Sequence, residues 1–91
     1  MRWSEVREAH PDQWVVMEAL DAHSEPGRWV VELMSVVDTC PDGLAAMHRY
    51  GELRRAYRGR EFFFFHTSNR EIVIEEDLGG LPWGHARRAA R

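Results

Sequence analysis

The sequence predicts a single small α+β domain in the order α-β-β-α-β-β. Its sheet is expected to be one mainly antiparallel four-stranded sheet with helices packed on a face. Three observations lead there. A chain of 91 residues is one domain long. Its apolar residues follow helical spacing in two segments and strand-like runs in four. The run Phe62-Phe63-Phe64-Phe65 is too short for a helix and has high β propensity, which marks a central strand.

Trp3 to Ala9 carries Trp3, Val6 and Arg7 at helical spacing, with Ser4 as N-cap and His10-Pro11-Asp12 as the stop. Trp14 to Leu20 is a strand by composition, apolar at odd and even positions, so cover on both faces is expected. Ser24-Glu25-Pro26-Gly27 is a turn, and Trp29 to Val37 is the second strand of a hairpin whose loop spans roughly six residues. Thr39 or Cys40 caps a second helix with Pro41 in its first turn, running through Arg58 to Gly59. Ala46, Met47, Tyr50, Leu53 and Tyr57 form its buried face, and Gly51 is expected to admit close approach to the sheet. After the phenylalanine strand, Thr67-Ser68-Asn69-Arg70 is a tight connection, and Ile72 to Glu76 is the fourth strand. Leu78 to Gly84 is a loop with Trp83 as an aromatic anchor. The domain is thus residues 1–84, and 85–91 is a basic tail expected to fray. Helix, strand, turn, strand occurs twice, a weak sign of an internal repeat.

The composition, 44% hydrophobic and 30% charged, excludes a disordered chain, a collagen-like fibre and a disulfide scaffold. No apolar run reaches the roughly 18–20 residues a membrane-spanning helix needs. The start, Met1-Arg2-Trp3-Ser4-Glu5, becomes charged at once, so no signal peptide, no membrane and a cytoplasmic location are expected. The net charge of −3 gives no global attraction for nucleic acid. Its distribution is uneven: residues 1–47 sum to −6, 48–60 to +4 and 71–77 to −4. All 12 basic residues are Arg.

Few residues suggest chemistry. His66, with Thr67, Ser68 and Asn69, is polar enough for acid–base work, but these side chains also bond turn backbones. His23 and Ser24 form a similar turn pair. Cys40 precedes a helix start, where a thiolate is favoured, yet no base is assigned to it. No catalytic residue, metal site or cofactor is therefore expected. Four adjacent Phe place rings on both sheet faces, so one face is expected to meet a partner through Phe63 and Phe65, with His66 and Trp83 beside them. Arg49, Arg54, Arg55 and Arg58 are candidates for binding an anion.

Several stretches, in order, resemble a family of small bacterial proteins without an established activity. They are Trp3-Ser4-Glu5-Val6, Pro11-Asp12-Gln13-Trp14-Val15-Val16, Glu18-Ala19-Leu20-Asp21-Ala22-His23-Ser24, Ala46-Met47 with Tyr50 and Leu53, and His66-Thr67-Ser68-Asn69-Arg70-Glu71. The resemblance runs to about Asp77 and departs at Leu81-Pro82-Trp83-Gly84. Such proteins are often encoded beside a small retropepsin-like aspartic protease, so the resemblance implies a companion or regulator of that neighbour. The expectation is a non-enzymatic protein acting through protein–protein contacts, with a protein partner or a second copy. The alternative is an antitoxin-like nucleic-acid binder using the Arg-rich helix and Arg87, Arg88 and Arg91 of the tail.

Overall fold

The computed structural model of the chain describes residues 1–72 together with Ile74–Glu75. The elements run α1 (Trp3–Ala9), β1 (Trp14–Glu25), β2 (Arg28–Cys40), α2 (Gly43–Ala56), β3 (Phe62–His66) and β4 (Ile74–Glu75). The expected element order is present, but the four-stranded sheet is corrected. Among the described residues three antiparallel strands build it, with β1 in the middle, and β4 adds two residues, paired with Arg28 and Trp29 at the outer edge of β2. The loop with Trp83 and the tail 85–91, and with them the boundary at residue 84, lie outside the described residues.

The β1–β2 hairpin is the scaffold. Its strands are longer than their apolar runs, because the polar half of β1 pairs on through Ser24↔Trp29 to Glu25↔Arg28. The loop therefore shrinks to Pro26-Gly27: Pro26 presets its own φ, and Gly27 takes a positive φ of 78°. Glu25 clamps this end, accepting from Arg28 Nε at 2.9 Å and lying 3.0 Å from His23 Nε2. His23 and Ser24 are thus strand residues, not turn residues. The register passes over Val37, Leu20 and Glu32, and these bulges turn apolar side chains outward: Leu20 is 58% exposed and Val37 37%.

Among the described residues β3 is an edge strand, not a central one, and pairs only with β1, from Trp14↔His66 to Glu18↔Phe62. Its four rings are nonetheless buried. The pleat sends Phe63 and Phe65 to one face, where they pack with Trp3 and Val6 of α1 and with Val15, Met17, Trp29 and Met34. Phe62 and Phe64 go to the other face and meet Ala46, Tyr50 and Leu53 of α2 and Val16. The helices therefore cover opposite faces, not one face as expected. The sheet face proposed for a partner is already filled by this chain's own α1. The internal repeat is not present either, because β3 and β4 lie at opposite edges instead of forming a second hairpin.

The helix ends also differ in detail. α1 starts one residue before Ser4, closed by Glu5 Oε1 accepting the Arg2 backbone N–H at 2.8 Å. α2 is capped by Asp42, whose carboxylate accepts the Ala45 N–H at 2.8 Å. It ends at Ala56, so Tyr57 leaves the buried stripe and is 48% exposed. Close approach to the sheet occurs at Gly43, where a Cβ would lie 3.2 Å from the Trp14 ring. No helix among the described residues is long and apolar enough to cross a membrane.

Because Phe63 is fully buried between α1 and the sheet, Phe63→Ala is expected to cost about 3–5 kcal/mol in urea unfolding. Leu20→Ala, at an exposed bulge, should stay within about 0.5 kcal/mol of wild type in the same assay.

Candidate functional site

Two polar regions hold the side chains singled out by the sequence. The first is the turn after β3. Thr67 is 2% exposed and is the junction of this region. Its hydroxyl donates to the His10 carbonyl at 2.7 Å and accepts the Gln13 N–H at 2.9 Å. Its carbonyl accepts from Arg7 Nε at 2.8 Å, and Trp3 Nε1 donates to the Asn69 carbonyl at 2.8 Å. Four contacts thus tie α1 and the α1–β1 connection to the end of β3. None has a local sequence signal, since the partners lie 54 to 66 residues apart.

His66 stands beside this junction with its ring edge-on to Trp14, centroids 5.2 Å apart. Ser68 Oγ lies 2.8 Å from His66 Nδ1, and Asp12 Oδ1 lies 3.7 Å from Nε2. In outline this is a serine–histidine–aspartate set. Two features separate it from a working one. The Ser68 backbone N–H also donates to Nδ1, at 3.1 Å, so the lone pair that would take the hydroxyl proton is already engaged. The Asp12 contact is longer than a hydrogen bond, and its carboxylate is 91% exposed. Among the described residues Asp12 is also the non-glycine residue with positive φ, 53°, which makes the tight exit from α1.

Cys40, Pro41, Asp42, Trp14 and His66 share the wall of one hollow. The Cys40 thiol is pushed above its usual range, first by burial and then by the Asp38 carboxylate, which is opposite to an activated thiolate. Among the described residues no group of three His, Cys, Asp or Glu side chains is placed to hold a metal ion.

The second region is a cleft of about 620 Å³ between the end of α2 and the start of β3, lined by Tyr50, Gly51, Arg54, Arg55, Arg58 and residues 59–61. It gathers three of the four arginines proposed for anions. Arg49 is elsewhere, held at 3.2 Å by Asp38 and at 3.3 Å by Glu52. Arg60, the last arginine of the same run, joins the cleft. Its guanidinium grips Glu18 through Nε at 2.6 Å and through Nη2, and it lies over the Tyr57 ring, 5.0 Å from the centroid. These bonds hold the Glu18 carboxyl below its ordinary range and raise the Arg60 guanidinium. Arg55 and Arg58 make no ion pair with any described residue. Gly51 does not meet the sheet: a Cβ there would lie 3.4 Å from Arg55 Nη1, so the missing side chain leaves room for a guanidinium.

The remaining candidates are accounted for. Phe63 and Phe65 are core, His66 is half-buried beside Trp14, and Trp83 lies outside the described residues. Comparison with protein-family models, curated proteins and solved structures finds no match to this chain.

Thr67→Val keeps the shape but leaves the His10 carbonyl and the Gln13 N–H without their partner. Unfolding should show a loss of about 2–3 kcal/mol, most of it restored in Thr67→Ser. The Glu18–Arg60 pair gives a pH signature. A carboxyl lowered by folding stabilises above its unfolded value, near 4.5, and that contribution disappears as pH falls through the folded value. Urea midpoints should therefore drop less between neutral and acid pH in Glu18→Gln than in wild type.

Proposed function

We propose that this is a non-enzymatic cytoplasmic protein that acts by holding a partner protein, and that the arginine cleft is its contact surface. The observation that carries this reading is the gathering of Arg54, Arg55, Arg58 and Arg60 around one open cleft, with Arg55 and Arg58 unpaired by the chain's described residues. Arginine is enriched at protein interfaces, where its planar fork binds carboxylates through two parallel bonds. The polar turn at His66 supports the same reading from the other side, because Thr67 and Ser68 are engaged in holding the turn and α1 in place. Sequence resemblance supplies a candidate partner: the product of an adjacent gene, of the retropepsin-like aspartic protease kind. A second copy of the chain is the other partner of the same class.

Co-expression with the adjacent gene products, followed by size-exclusion chromatography with light scattering, tests the reading. A mixed complex that is lost in the double variant Arg55→Glu/Arg58→Glu, with the thermal midpoint unchanged, is the expected result. A complex indifferent to that double variant would place the contact surface elsewhere.

A further inference from the structure

Resting on the cleft as the contact surface, the geometry points to its ligand class: we infer that it takes a short, extended, acidic peptide segment of the partner, and not a nucleic acid. Three observations carry this. The first is the division of labour among the arginines. Arg60 is committed to Glu18 and to the Tyr57 ring, and so fixes one wall. Arg55 and Arg58 have no carboxylate of their own among the described residues, and their side chains border the opening. Arg55 stands in the last turn of α2 and Arg58 in the turn just past its end at Ala56, and both line the same cleft. Two carboxylates on one side of an extended segment, about 7 Å apart, fall within reach of such a pair.

The second observation concerns aromatic rings. Proteins that bind single-stranded nucleic acid present exposed rings on which bases stack. The ring that lines this cleft, Tyr50, is 5% exposed and packs on Phe64 at 5.4 Å. The exposed Tyr57 ring carries the Arg60 guanidinium on its face. Among the described residues the cleft therefore offers forks for anions and no stacking platform.

The third is charge. The cleft is a local basic patch on a chain of net charge −3, whose first 47 residues sum to −6. The chain's overall negative charge opposes a long polyanion more than a short segment carrying few charges.

Fluorescence anisotropy with a labelled ten-residue peptide of alternating Glu and Ala, set against a labelled ten-nucleotide oligothymidylate, tests the inference on the full chain in low salt. The peptide should bind, weakened at least tenfold in Arg55→Gln/Arg58→Gln and unchanged in Arg49→Gln, whose guanidinium is held by Asp38 and Glu52 outside the cleft. The oligonucleotide should bind at least tenfold more weakly than the peptide. Tighter binding of the oligonucleotide, or peptide binding indifferent to Arg55 and Arg58, would overturn the inference. Absence of binding by either probe would overturn the acidic-peptide assignment while leaving the complex seen in co-expression to decide the protein-contact reading separately.

Discussion

A strand of four consecutive phenylalanines at the edge of a sheet sets the terms for the rest of this structure. The pleat sends alternate rings to opposite faces, so neither face of β3 can be left to water. One helix cannot cover both. The chain answers with α1 over Phe63 and Phe65 and α2 over Phe62 and Phe64, and β1 carries the matching apolar residues on both faces, Val15 and Met17 on one side and Val16 on the other. Helix α1 has only 7 residues, too few to be stable by itself, so its position depends on tertiary contacts. Trp3 and Val6 supply the apolar contact, and the bonds to Thr67 and Asn69 fix its orientation. The turn after β3 is therefore where one layer is fastened to the next.

How much of this was legible follows from the range of each interaction. Element identities rest on local pattern, and the order α-β-β-α-β-β was readable from it. The buried stripe Ala46, Tyr50 and Leu53 was readable too, because helical periodicity puts these residues on one face. Strand order was not. The apolar content of Phe62–Phe65 suits a central strand and an edge strand doubly covered by helices equally well, and only tertiary packing separates the two. The hairpin was read too short because Asp21 to Glu25 is polar, and a strand half facing water is built of such residues. Tyr57 continued the apolar period one step beyond Ala56, where α2 ends and its ring turns outward.

The site shows the same division. The arginine run was visible as a cluster of charge, but a sequence does not say which arginines already have partners. Arg49 is occupied by Asp38, 11 residues back and on another element, and Arg60 by Glu18, 42 residues back on the central strand. Removing these two leaves Arg54, Arg55 and Arg58 at the cleft, and of these Arg55 and Arg58 make no ion pair with a described residue, a distinction that only the three-dimensional pairing makes. Gly51 was misread for a related reason. A glycine within a helix costs about 1 kcal/mol relative to alanine, and close packing on the sheet is the common compensation. Here the room goes to the Arg55 guanidinium on the open side of the helix, while the close approach to the sheet is made by Gly43 over Trp14.

If the cleft takes an acidic segment as proposed, the charge pattern would give it its selectivity. A uniformly basic domain attracts any polyanion, and its affinity is dominated by counterion release. This chain is acidic overall, so its long-range field opposes polyanions, and attraction is confined to distances at which Arg55 and Arg58 outweigh the surrounding carboxylates. On the proposed reading, a partner would present its negative charge in a segment narrow enough to enter the cleft. Bound to Glu18 and laid over the Tyr57 ring, Arg60 contributes shape to the cleft more than free charge. A preformed wall spares the ordering cost that a flexible arginine would incur on binding. The same Glu18 that pairs with one arginine thereby sets the wall beside which Arg55 and Arg58 would meet an anion on the proposed reading.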